Sequence, residues 1–78
     1  MKMSKDVKDV VLEIIELQLG EKPELKDKLE DDLGMDGLDR IELVMDIETK
    51  LNISMADEEW GKWETVQNIV DYVENKVS

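Results

Sequence analysis

The chain has no cysteine, no histidine and no phenylalanine, and a single proline in 78 residues. Without cysteine there are no disulfides, thiolate metal sites or cysteine nucleophiles, and without histidine the commonest general base near neutral pH is missing. Most catalytic constellations are thereby excluded. Aromatic side chains are limited to Trp60, Trp63 and Tyr72, so a core has to be built from Leu, Ile, Val and Met, a set that suits helices and uses methionine to fill irregular gaps. No apolar run approaches the roughly 20 residues of a membrane-spanning helix, and Met1 to Lys8 is too polar for a signal peptide; a cytoplasmic protein is expected. Positive charge is scarce as well. Ten basic against 21 acidic residues leave a net charge of −11, which repels nucleic acid and anionic membranes. Basic protein surfaces are the expected partners, although acidity also serves solubility alone. The length supports one domain over residues 1–78, which buries only roughly 60 to 65% of its unfolded surface.

What is present is helical periodicity. From Ser4, read as an N-cap, Val7, Val10, Val11, Ile14, Ile15 and Leu17 have the spacing of a helix with one buried stripe. Gly20 suits the left-handed position that ends a helix, and Pro23 cannot continue it. Leu25, Leu29 and Leu33 then recur every four residues through a polar connection, a spacing that suggests a turn of helix within it, and are expected to pin it to the core. A second helix is predicted after Asp36 as cap, with Ile41, Val44, Ile47 and Leu51 facing inward and Leu38, Leu43 and Met45 widening the apolar face. A short helical turn is expected at Ala56 to Trp60, stopped by Gly61, with Ile53 and Met55 reaching inward. Thr65 caps a last helix whose Val66, Ile69, Val70, Val73 and Val77 share one face. These elements make an all-α bundle of three longer helices and one short one.

The most informative stretch runs Asp31-Asp32-Leu33-Gly34-Met35-Asp36-Gly37-Leu38-Asp39-Arg40-Ile41-Glu42-Leu43-Val44-Met45. It resembles the prosthetic-group region of acyl carrier proteins, where the family reads Asp-Leu-Gly-x-Asp-Ser-Leu-Asp. The likeness extends through Ile47-Glu48, Asp57-Glu58-Glu59, Thr65-Val66-Gln67 and Asp71-Tyr72-Val73, and Gln18-Leu19-Gly20 also fits. The connection after Gly20 is shorter than is usual in the family. The resemblance implies a four-helix carrier fold and a non-enzymatic role: a 4′-phosphopantetheine arm, esterified to the serine, carries acyl thioesters between enzymes of fatty-acid or polyketide-type biosynthesis. In this chain the serine position is Gly37, flanked by Asp36 and Leu38. A phosphate there would face free backbone N–H groups and the positive end of a helix dipole, but glycine supplies no oxygen nucleophile. Ser4, Thr49, Ser54 and Thr65 lie outside the motif. Three accounts of Gly37 stay open: a natural carrier-like protein without a cofactor, a deliberately disabled variant, and a modified serine rendered as glycine. The intact acidic surroundings favour an altered serine.

By the same resemblance Asp36, Asp39, Glu42 and Glu48 match positions that meet basic patches on phosphopantetheinyl transferase and on acyl-transferring or synthase enzymes, with Leu38 and Met45 adding apolar contact. Arg40 stands where the family often has a neutral residue and is read as tuning partner choice. Val44, Ile47, Met55, Ile69 and Val73 are candidates to line an acyl cavity, and an inward Trp63 would shorten it. A monomer is expected. A calcium loop is a poor rival. Asp32, Asp36 and Gly37 can occupy the first, fifth and sixth positions of an EF-hand, but Gly34 and Leu43 then fall where carboxylates are required. Paired carboxylates acting as a hydrolase are a weaker rival still, because 21 acids in 78 residues guarantee some pairs. The remaining rival is a cofactor-free acidic module that only binds partners.

Overall fold

The computed structural model describes residues 6–77. Helix α1 spans Val7–Leu19, α2 Gly37–Leu51, α3 Asp57–Trp60 and α4 Val66–Val77; among the described residues there is no strand, only an isolated antiparallel bridge between Lys28 and Thr65. Ser4 lies outside the described residues, and Asp6 occupies the N-cap position of α1 without a side-chain bond. Gly20 ends α1 as expected: its φ of 89° is left-handed, and its N–H donates to Glu16 O at 2.8 Å. Asn52, at φ 58°, ends α2 in the same way, with its N–H on Glu48 O. At the start of α4, Thr65 Oγ1 accepts the Asn68 N–H, while Asn68 Oδ1 accepts the N–H groups of Glu64 and Thr65. The side chains thus satisfy donors that a helix start leaves without intrahelical partners.

One core collects Val10, Val11, Ile14 and Ile15 from α1, Leu43, Val44 and Ile47 from α2, and Val66, Ile69, Val70 and Val73 from α4. Helix α1 packs against both α2 and α4. The long connection between α1 and α2 is made of turns rather than helix. It is fixed by its backbone: Leu29 N–H donates to Glu64 O, and the N–H groups of Val66 and Gln67 donate to Asp27 O and Leu25 O. Leu29 is fully buried, and Leu25 and Leu33 pack against the core from its edge. The leucines therefore hold the loop as their spacing predicts, and the backbone bonds fix where it lies.

Three apolar positions depart from expectation. Leu17 is 79% exposed, Ile41 43% and Val77 41%. The inward stripe of α2 is Arg40, Leu43, Val44 and Ile47, so the helix is turned about one residue from the phase that places Ile41 inside. Arg40 occupies the buried position because the core offers it acceptors. Val77 and Leu17 lie in the last turns of their helices, where the neighbouring elements no longer cover them.

Candidate functional site

The first turn of α2 is held by a reciprocal pair. Asp36 Oδ1 accepts the Asp39 N–H at 2.9 Å, and Asp39 Oδ2 accepts the Asp36 N–H at 3.4 Å. This is a capping box with Asp in place of the usual Glu or Gln, and it sets two carboxylates at the positive end of the helix. Gln18 Nε2 donates to Asp39 O at 2.8 Å, which ties the C-terminal part of α1 to the same turn. Gly37 is the first residue of α2, exposed, and a Cβ added there meets nothing within 4 Å. Its backbone is not left-handed. A side chain, including a hydroxymethyl group, therefore fits at position 37 without strain.

The residues expected to meet partners fall on the outer side of α2. Asp36 and Glu42 are exposed and Asp39 is half-buried. Leu38 at 76% and Met45 at 58% exposure stand beside them, and the outward Ile41 joins these two in an apolar strip spaced by three and four residues. Glu48 departs from this group: it is half-buried, and its Oε2 accepts the Met55 N–H at 2.8 Å, bracing the connection that follows α2.

Arg40 is a correction. Instead of standing on the acidic face it is 9% exposed. Its Nη1 donates to Trp63 O at 2.7 Å and Trp60 O at 3.4 Å, and its Nη2 lies 3.8 Å from Glu30 Oε2. It is an internal tie between α2 and the segment joining α3 to α4, so it is not placed to tune partner choice. The signal available in sequence was spacing: position 40 continues the 43, 44, 47 stripe by one turn.

Val44, Ile47, Met55, Trp63, Ile69 and Val73 are brought together in the one buried cluster. Trp63 points inward and meets Tyr72 edge-on at 5.7 Å between ring centroids. Two open clefts border the core: one of about 610 Å³ lined in part by Lys28, Asp31, Arg40 and Trp63, the other of about 590 Å³ between α1 and α2. Among the described residues no group of three or more His, Cys, Asp or Glu is placed to share a metal ion, and no helix is long and apolar enough to cross a membrane.

The start of α2 is open at Gly37, but the carboxylates of Asp36 and Asp39 already occupy its positive end and no side-chain oxygen stands at position 37 to bond a group covalently. The residues present do not fit an esterified group.

Comparison with known proteins matches residues 7–73 to the family model described as the phosphopantetheine attachment site. An acyl carrier protein of Chlorobium phaeovibrioides is 39% identical, over 91% of this chain and 95% of that protein. One from Wolinella succinogenes is 45% identical, over 88% and 90% respectively. In fold, the chain is similar to a solved structure from Mycobacterium tuberculosis assigned to the acyl carrier proteins, with a TM-score of 0.83 and 21% identity, covering 88% of this chain and 96% of that one.

Proposed function

The chain belongs to the acyl carrier protein family, and from that membership we propose that it is built as a cytoplasmic, monomeric carrier scaffold of the kind serving fatty-acid or polyketide-type biosynthesis, with Gly37 at the family's attachment position and the attachment serine absent. Acyl carrier proteins are not enzymes; their cofactor is 4′-phosphopantetheine, and they work with synthases and transferases. When bound, the arm supplies a thiol that holds an acyl group as a thioester. Everything else is the work of the protein surface.

Asp36, Asp39 and Glu42 offer negative charge to basic patches on those enzymes, and Leu38, Ile41 and Met45 offer apolar area between the charges. Charge of one sign speeds encounter and fixes orientation, while the apolar residues supply the contact area that is lost from water on docking. The buried set around Val44, Ile47, Met55, Ile69 and Val73 is the proposed shelter for an acyl chain, with Trp63 limiting its depth.

The observation that carries this reading is the open, unstrained start of α2 at Gly37 within a capping box. The same residue supports a second reading, because glycine has no hydroxyl: the chain as it stands engages carrier-binding enzymes and carries nothing. Intact mass after incubation with coenzyme A and a broad-specificity phosphopantetheinyl transferase separates the two. The parent chain is expected to gain no mass and Gly37→Ser to gain one phosphopantetheine. No gain in either protein would leave the partner-binding module as the surviving reading.

A further inference from the structure

The cleft of about 610 Å³ lies between the loop that follows α1 and the segment that joins α3 to α4. Lys28, Glu30 and Asp31 stand on one side, Lys62 and Glu64 on the other, and Arg40 reaches it from α2. Its two sides are joined through the backbone by the Leu29 N–H on Glu64 O at 2.9 Å and by the bridge between Lys28 and Thr65, so the cleft is set by the fold and not by exposed side chains alone. The chain has ten basic residues against 21 acidic ones, yet three of the ten, Lys28, Arg40 and Lys62, border this one cleft. Arg40 is the buried member, at 9% exposure. Both bonds from its Nη1 go to neutral groups, Trp63 O at 2.7 Å and Trp60 O at 3.4 Å, which satisfy donors without neutralising the charge. Glu30 Oε2 is 3.8 Å from Nη2, beyond hydrogen-bonding distance, on a side chain that is 76% exposed. A guanidinium taken out of water with no carboxylate bonded to it is costly, and an anion in the cleft removes that cost.

We propose that the Arg40 guanidinium is the receptor for the carboxylate of a small organic acid bound in this cleft, with Glu30 as the intramolecular carboxylate that competes for it. Nη2 offers charge-assisted hydrogen bonds, the strongest that a carboxylate can accept from a side chain, and the space is of the size that small-molecule sites occupy. Charge selects the ligand. One carboxylate matches one guanidinium, whereas a phosphate dianion meets repulsion from Glu30, Asp31 and Glu64 at the same cleft. The site goes beyond the carrier reading and does not depend on it, because Gly37 and the exposed strip of Leu38, Ile41 and Met45 take no part in the lining. Since the same guanidinium holds the segment of Trp60 and Trp63 to α2, an acid bound here stabilises the folded bundle by mass action.

The test titrates the full chain with sodium acetate at neutral pH, sodium chloride being withdrawn to hold ionic strength constant, and follows the Arg40 Nε–H and the backbone amides by NMR. Saturable shifts are expected at Arg40 and at residues 28–31 and 61–64. Acetamide, of the same shape without the charge, is expected to give none, and inorganic phosphate to bind more weakly than acetate. Glu30→Gln removes the competitor from an exposed position and is expected to tighten acetate about two- to fivefold, the range of one exposed charge pair. Lys62→Gln is expected to weaken it by a similar factor, and Lys50→Gln, on the far side of α2, to leave it unchanged. Shifts that do not saturate, an equal response to acetamide, phosphate binding as tightly as acetate, or an affinity unmoved in Glu30→Gln would each overturn the proposal. Arg40→Met is expected to abolish the shifts, and saturable shifts retained in it at these residues would overturn the proposal too; the two exposed variants decide the matter whether or not Arg40→Met folds.

Discussion

Tyr72 is the single tyrosine of the chain and links α4 to α3. Its hydroxyl donates to Glu59 Oε1, its ring crosses Trp63, and Lys76 Nζ lies 5.8 Å from its centroid. The hydrogen bond to Glu59 is the main reason that the phenol is pushed up from 10.0 to about 12, with burial and the Glu59 charge adding to it. The folded protein therefore holds this proton more tightly than the unfolded chain. The pair contributes stability in full below pH 10 and loses it as pH rises towards 12. Glu59 is exposed, so solvent screening keeps that contribution small. With one tyrosine the tyrosinate absorbance reports this site alone: the parent is expected to titrate near 12, and Glu59→Ala to fall back towards 10, the ordinary value. An unchanged midpoint in the variant would remove Glu59 as the cause.

At the scale of the elements, Arg40 decides how α2 meets the rest of the bundle. Its guanidinium reaches the carbonyl of Trp60, which also accepts the Trp63 N–H, and the carbonyl of Trp63 in the short segment between α3 and α4, where regular structure supplies few donors. Arg40→Met keeps the apolar stem but deletes these donors and strands the Trp63 carbonyl. A loss of about 1.5 to 3 kcal/mol is expected in urea denaturation, with an unchanged denaturant slope. Arg40→Lys should recover only part of it, because an ammonium lacks the planar fork that spans two acceptors. This residue also marks where sequence reasoning stopped. The end of α1 and the starts of α2 and α4 were legible because Gly20, Asp36 and Thr65 are local signals, set by backbone conformation and nearby donors. The phase of α2 was not, because an isoleucine at 41 and an arginine at 40 argue for the opposite rotation until the carbonyls of Trp60 and Trp63 are in place. Gly37 at the helix start followed from the motif. The bracing of Met55 by Glu48 and the cleft at Arg40 did not, since both depend on how neighbouring segments lie in space.

For the whole molecule the controlling quantity is the net charge of −11 spread over a body measuring 40 × 26 × 18 Å. The ion pair of Lys26 with Glu24 is exposed and offsets little of the repulsion. At about 0.01 M salt the Debye length is about 30 Å, longer than two of the three dimensions, so carboxylates on opposite sides repel; at about 0.15 M it is about 8 Å and only neighbours do. Raising sodium chloride across that range is therefore expected to increase Tm by about 5 °C or more, corresponding to relief of about 1 kcal/mol in a domain of this size. Stabilisation by micromolar calcium in the presence of sodium chloride would point instead to a defined cation site. The same screening weakens attraction to a cationic partner. Fold stability and affinity for a cationic partner enzyme should then move in opposite directions with salt, and that opposition identifies the acidity as a feature kept for recognition at a cost in stability. If affinity instead held constant while Tm rose, docking would rest on apolar contact alone, and the acidic residues of α2 would have no part in choosing the partner.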